Sequence, residues 1–80
     1  MDEIIDTLAE KIAKNILQDP KLKLDPTEPL VSTGVLDSFN LVDLALMVEE
    51  TWGVRIEDFE LNDSVFDNLE ELAALIQSRL

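Results

Sequence analysis

The chain has 80 residues, 18 acidic and 6 basic, and a formal net charge of −12 at pH 7. This length suits one small domain with a single modest core, and a hydrophobic content of 46% favours folding over disorder. A surface this acidic repels nucleic acid and anionic membranes, and it attracts proteins with basic patches. The chain has no Cys, so disulfides and thiolate metal sites are excluded. With no long apolar run and no signal-peptide pattern, we expect a cytoplasmic single domain over residues 1–80, without membrane insertion.

The first predicted element is an amphipathic helix from Asp2 to about Leu17. Its apolar residues recur at helical spacing along one face, and Glu10, Lys11 and Lys14 fall on the other. We expect this helix to be scaffold. The residues predicted to face the core are Ile4, Ile5, Leu8, Ala9, Ile12 and Ile16.

A long connection follows, from Gln18 to Leu36, and Pro20, Pro26 and Pro29 exclude a continuous helix there. It holds too many apolar residues for a free linker, so we expect it to lie across the core. Loops of this length inside a small domain are often functional. The expected core anchors are Leu22, Leu24, Leu30 and Val31.

The second helix is predicted from about Ser38 to Trp52, and Gly53 suits a left-handed C-terminal cap. At 100° per residue, one stripe of this helix should face the core, formed by Leu41, Leu44, Ala45, Val48 and Trp52. The opposite side mixes large apolar side chains with acids, namely Phe39, Asp43, Leu46, Met47 and Glu50. Such a mixture is typical of a partner-docking face, although a helix buried nearly all round would also explain it.

For the remaining third of the chain, the sequence predicts an extended segment, a short helix and a last, longer helix. Residues 54–56 should be extended and partly buried, and a short third helix should begin at Asn62 or Ser64. Asp67 and Glu70 have the spacing of a capping box for a last helix that ends at Leu80. The expected fold is therefore all-α, with four helices, a long first loop and a short third helix. The last helix should bury Leu69, Leu72, Ala73, Ile76 and Leu80.

Asp37-Ser38 stands between the long loop and the second helix. Either side chain can cap a helix, so this dipeptide alone indicates no more than a helix start. The chain has no His and no Cys to activate the Ser38 hydroxyl, and Lys21 and Lys23 are distant in sequence, which excludes a hydrolase. No Asp-x-Asp-x-Asp-Gly spacing supports a calcium site. We expect no catalytic or metal-binding residue, and a serine modified by another protein.

The run from Gly34 to Phe39, Gly-Val-Leu-Asp-Ser-Phe, with Leu-Val-Asp-Leu at residues 41–44, resembles the prosthetic-group site of acyl and peptidyl carrier proteins. The resemblance covers essentially the whole chain. It implies a four-helix carrier that is not an enzyme, in which Ser38 bears 4′-phosphopantetheine transferred from coenzyme A by a phosphopantetheinyl transferase. The terminal thiol of that arm would hold the cargo as a thioester. The resemblance also implies that Asp37 lies beside the magnesium of the transferase.

The same resemblance makes the second helix the recognition element for the transferase, for a loading ligase or synthase, and for acyl-processing enzymes. It adds Val42 and Glu49 to the docking face, although a solvated surface charge explains Glu49 equally well. We expect the acids to steer association and the apolar residues to make contact. The apolar set is Phe39, Val42, Leu46 and Met47, and the acidic set is Asp43, Glu49 and Glu50.

Two departures from the usual bacterial fatty-acid carrier bear on the cargo. Val35 and Leu36 separate Gly34 from the Asp-Ser pair, where one residue is usual, and Phe39 follows the serine. This pattern is closer to free-standing carriers of aminoacyl, D-alanyl or polyketide-type cargo, and we expect the protein to be a monomer. The alternative is a small acidic interaction module that docks through its Phe39, Leu46 and Met47 face and has no prosthetic group.

Overall fold

The computed structural model describes residues 2–80, in which three α-helices and two short helical turns surround one core. Helix α1 spans Asp2–Lys11 and runs directly into a π-helical turn, Ile12–Ile16. Helix α2 spans Ser38–Trp52, a 3₁₀ turn spans Asp58–Glu60, and α3 spans Leu69–Arg79. Within residues 2–80 there is no strand, which confirms the all-α prediction. No helix in this part of the chain has the length and hydropathy to cross a membrane.

The first helix is confirmed, with one unpredicted feature at its C-terminal end. The N–H of Leu17 donates to the carbonyl of Ile12 at 2.8 Å, and that of Asp19 donates to Ala13 at 2.7 Å. These wide turns end the helix, and Gln18 then adopts a positive φ of 55°. Helical periodicity does not distinguish a π turn from an α turn over five residues, so the sequence predicted one uniform helix.

The core lies where α1 packs on α3 and the π turn packs on α2. Burial of apolar side chains at these two contacts is the main force that holds the helices together. The fully buried larger side chains are Phe66, Leu8, Ile12, Leu44, Leu69, Leu72, Ile76 and Val48.

The long loop lies on the core, as predicted, but through a different set of anchors. Leu24, Leu30 and Leu36 are buried, and Val31 is half-buried. The prediction was wrong for Leu22, which is exposed. Leu22 lies in the turn closed by the hydrogen bond from its own N–H to the carbonyl of Asp19 (3.0 Å), and this turn carries it past the core.

Helix α2 has the predicted limits and largely the predicted orientation. Gly53 has a φ of 70° and donates its N–H to the carbonyl of Glu49 at 2.8 Å, which is the expected left-handed cap. Leu41, Leu44 and Val48 are buried, while Ala45 and Trp52 are half-buried against the core.

The outward orientation predicted for Met47 was wrong, because Met47 is half-buried and packs against the core. Met47 follows Leu44 by three residues, which places it about 60° from Leu44 around the helix. It therefore lies at the edge of the buried stripe rather than opposite it.

The connection from α2 to α3 differs from the prediction. Val54 and Ile56 are buried on either side of an exposed Arg55, as expected for an extended segment. Residues 62–66, however, form turns rather than a third α-helix, so the expected four helices are not all present within residues 2–80. Asn62 explains the difference, since its side chain donates to the carbonyl of Phe59 (2.8 Å) and accepts the N–H of Ser64 (2.9 Å). Such local bonds compete with a helical turn.

The capping box predicted for Asp67 and Glu70 was wrong by one residue. Asn68 is the N-cap of α3, and its side chain accepts the N–H of Glu71 at 2.8 Å. The Glu71 carboxylate in turn accepts the N–H of Asp67 at 2.8 Å. At the other end of α3, Leu80 was predicted to face inward but is exposed, because α3 ends at Arg79.

Candidate functional site

The last turn of the long loop places residues 37 and 38 at the surface. Gly34 has a φ of 80°, and its N–H donates to the carbonyl of Val31 at 3.1 Å. The N–H of Leu36 donates to the carbonyl of Leu30 at 2.9 Å, and both leucine side chains are buried. A glycine suits the left-handed conformation at this turn, which any other residue would adopt with strain. The chain then leaves the core at Asp37.

Asp37, rather than Ser38, caps helix α2. Its Oδ1 accepts the N–H of Asn40 at 2.8 Å, and the Asn40 side chain accepts the N–H of Asp37 at 3.2 Å. The carbonyl of Asp37 also accepts the N–H of Leu41 at 2.9 Å. This reciprocal box leaves Ser38 exposed as the first helical residue, so its hydroxyl is not needed to hold the helix start.

The helix start also suits an anion attached to Ser38. Four N–H groups at the start of an α-helix lack helical partners, and the dipole adds partial positive charge there. The capping box takes the N–H groups of Asp37 and Asn40, while within residues 2–80 those of Ser38 and Phe39 donate to no residue outside the helix. These two N–H groups are therefore available to an anion. The carboxylate of Asp37 opposes this locally through like charge.

The sequence has neither His nor Cys, and within residues 2–80 no three acidic side chains converge to hold a metal ion. Ser38 itself offers an exposed hydroxyl at the helix start.

The outward side of α2 carries most of the predicted docking residues. We define the α2 docking face as Phe39, Val42, Asp43, Leu46, Glu49 and Glu50, all of which are exposed. Phe39 exposes 83% of its surface, Leu46 55% and Val42 50%. Large apolar side chains with this exposure, among acids, are typical of an interface with another protein. Met47, the remaining predicted docking residue, is half-buried and packs against the core.

A shallow concavity of about 200 Å³ lies beside this face. Val42, Leu46 and Glu49 of α2 line one side of it, and Arg55 and Asp58 line the other. Sequence reasoning missed the second wall, because it depends on how the connection after Gly53 folds back. The signal for this wall in the sequence was a charged residue, Arg55, between two apolar ones.

Two further residues were not singled out from the sequence. Phe59, next to the exposed Asp58, exposes 78% of its surface. Asp67 accepts hydrogen bonds from the loop that leads to Ser38, which no local sequence pattern indicates.

The chain belongs to the family described as phosphopantetheine attachment site, which it matches over residues 4–76. Proteins of this family are carriers with a covalently attached 4′-phosphopantetheine group, and the carrier domains are not themselves catalytic. They work with a phosphopantetheinyl transferase and with acyl-processing enzymes. No significant match to a curated protein is found.

Proposed function

We propose that Ser38 is the attachment residue and that the protein carries an acyl or aminoacyl group on its phosphopantetheine arm. The observation that carries this proposal is the exposure of Ser38 at the first position of α2, beside an aspartate that makes the helix cap in its place. In the modification, a bond forms between the Ser38 oxygen and the β-phosphorus of coenzyme A. The pyrophosphate bond breaks, adenosine 3′,5′-bisphosphate leaves, and the serine proton passes to a base of the transferase.

Asp37 has a second role in this proposal. Only its Oδ1 is used in the helix cap, and Oδ2 accepts no hydrogen bond from residues 2–80. One carboxylate can therefore hold the helix start and turn its other oxygen toward the magnesium of the transferase. Carboxylate oxygens are ligands that magnesium prefers.

The α2 docking face is proposed to bind the transferase and the enzymes that load and unload the arm. Apolar contact would come from Phe39, Val42 and Leu46, and Asp43, Glu49 and Glu50 would steer basic partners toward it. Surface charges of this kind act mainly on association rate and weaken with salt. The net charge of −12 favours partners with basic surfaces.

In this proposal residues 1–80 act as one carrier domain. Val35, Leu36 and Phe39 favour aminoacyl, D-alanyl or polyketide-type cargo over housekeeping fatty-acid synthesis. The partners in this proposal are a loading ligase or synthase and a downstream acceptor enzyme. We propose that the carrier acts as a cytoplasmic monomer and catalyses no step itself.

Intact-mass spectrometry tests the attachment residue. The protein is incubated with coenzyme A, magnesium and a broad-specificity phosphopantetheinyl transferase. We expect the wild type and the control Ser64→Ala, which alters another exposed serine, to gain the mass of one phosphopantetheine. Ser38→Ala should gain nothing and should melt like the wild type, because the Asp37 cap stays. A Ser38→Ala protein that still gains the arm would contradict the assignment.

The same measurement separates the carrier from the alternative of a plain interaction module. A module that docks through the exposed Phe39 and Leu46 side chains would bind partners but keep its unmodified mass. A wild-type protein that gains no mass with an active transferase would favour that alternative.

A further inference from the structure

Asp67 ties the loop before Ser38 to the chain segment before α3. Its Oδ1 accepts the N–H of Val31 at 2.7 Å and the N–H of Ser32 at 2.8 Å. Its Oδ2 accepts the Ser32 hydroxyl at 2.6 Å, and its carbonyl accepts the N–H of Leu30 at 2.7 Å. One residue thus holds three consecutive residues of a loop that is more than thirty positions away in sequence.

These bonds act on the turn that ends at the proposed attachment residue. The carbonyl of Leu30 accepts the N–H of Leu36 at 2.9 Å and so closes the turn formed by residues 30–36. Asp37 and Ser38 follow Leu36 directly. Two backbone hydrogen bonds therefore connect Asp67 to Leu30 and Leu30 to Leu36, and two residues of chain then lead to Ser38 at the start of α2.

The Asp67 contacts are of the stronger kind. Hydrogen bonds to an ionised carboxylate are roughly twice as strong as those between neutral groups. The Ser32 hydroxyl first, and then the N–H groups of Ser32 and Val31, hold the pKa of the Asp67 carboxyl below its ordinary value of 3.8. The carboxylate is therefore ionised at neutral pH, with both oxygens available as acceptors.

We propose that Asp67 is a positioning residue, which fixes the turn of residues 30–36 and thereby places the Ser38 oxygen for attack in the transferase complex. The inference rests on the proposed function of Ser38. The competing explanation is that burial of Leu30 and Leu36 alone fixes the turn, in which case the Asp67 carboxylate is dispensable for modification.

Steady-state transferase kinetics with the carrier as the varied substrate distinguish the two explanations. The variants are Asp67→Ala and Asp67→Asn, and the control is Asp63→Ala, which removes the same charge from an exposed position in the same connection. The assays are run well below the melting temperature of every variant. Asp67→Ala should lower kcat about tenfold or more, since small misplacements of a reacting group can cost up to a hundredfold.

The split between kcat and KM identifies positioning. The KM of Asp67→Ala for the transferase should stay within about twofold of wild type, because the α2 docking face is unchanged. Asp67→Asn should have an intermediate kcat, because its amide oxygen can still accept both backbone N–H groups. The control should match the wild type in both constants.

Amide hydrogen exchange gives a second test that does not depend on the transferase. The amides of Val31 and Ser32 should be protected in the wild type and in Asp63→Ala, and they should exchange faster in Asp67→Ala.

If Asp67→Ala does not fold, the kcat of Asp67→Asn decides, and a wild-type value overturns the inference. It is equally overturned if Asp67→Ala folds and either keeps the wild-type kcat or changes KM alone. A wild type that gains no phosphopantetheine refutes the proposed function instead, and the exchange rates still show whether Asp67 orders the turn.

Discussion

Replacement of one apolar and one acidic residue on the α2 docking face should separate contact from electrostatic steering. Leu46 exposes 55% of its surface, so a partner that covers it removes about half of a leucine side chain from water. Full burial of a leucine side chain is favourable by roughly 1.5–3 kcal/mol, so burial of the exposed half of Leu46 by a partner should contribute about 1 kcal/mol to binding. Leu46→Ala should therefore lower kcat/KM for transferase modification by about fivefold.

Asp43→Lys should have a larger effect that depends on salt. Two charges about 4 Å apart in water interact by about 1 kcal/mol. Because the substitution replaces attraction by repulsion, it should cost about 2 kcal/mol, or roughly thirtyfold in kcat/KM, at low ionic strength. At 1 M salt the Debye length is about 3 Å, and most of this loss should disappear. The Leu46→Ala loss should persist, since it does not arise from charge.

The assay measures transferase kcat/KM for each variant at low and at high salt, with melting temperature as the check on folding. Glu10→Lys, an exposed acid on α1, makes the same change in net charge as Asp43→Lys. Leu80→Ala removes another exposed leucine. Both controls should be modified at nearly the wild-type rate. Wild-type kinetics for both Leu46→Ala and Asp43→Lys at low salt would refute the docking face and direct attention to residues 29–36.

Three further expectations follow from the burial, the helix cap and the ionised side chains. Phe66→Ala should lower the free energy of unfolding, measured by chemical denaturation, by about 3–5 kcal/mol because Phe66 is fully buried. Trp52→Ala should lower it less, because Trp52 is only half-buried, and an equal or larger loss for Trp52→Ala would contradict this order. Asp37→Asn should keep the helix cap and the melting temperature but slow modification, whereas Asp37→Ala should also lose about 1 kcal/mol of stability; wild-type modification of Asp37→Asn would exclude the proposed magnesium contact. Hydrogen bonds from Arg79 lower the pKa of the Glu60 carboxyl from its ordinary value of 4.5, and those from Ser32 lower the pKa of the Asp67 carboxyl from 3.8. Each carboxylate therefore stabilises the fold above its ordinary pKa, and this stabilisation is lost as pH falls through the lower pKa of the folded state. Asp67→Asn and Glu60→Gln should therefore flatten the fall in stability below about pH 4.5 in urea titrations, and an unchanged slope would contradict these pKa shifts.

The helices were predictable because their signals are local. Apolar spacing located α1, α2 and α3, and Gly53 and the Asp37-Ser38 pair marked the two ends of α2. The same local reasoning identified the candidate site, since the serine and its neighbours form one short run of sequence. The family match over residues 4–76 confirms the carrier class that this run indicated.

The errors have a common physical cause, which is that tertiary contacts decided between local alternatives. Asp67 looked like a helix cap, but its carboxylate binds the distant Ser32, and the cap falls to Asn68. Met47 lies at the edge of a stripe, where packing rather than periodicity decides exposure. Asn62 closes a turn in place of the expected short helix. The second wall of the concavity likewise exists only when Arg55 is brought beside α2.

Fragmentation of one peptide tests the central claim most directly. Trypsin cleaves after Lys23 and Arg55, and the peptide between these sites contains both Ser32 and Ser38. After modification with coenzyme A and a transferase, tandem mass spectrometry should locate a single phosphopantetheine on Ser38. Phosphopantetheine on Ser32 or on any threonine of this peptide, or a peptide that stays unmodified, would contradict the account.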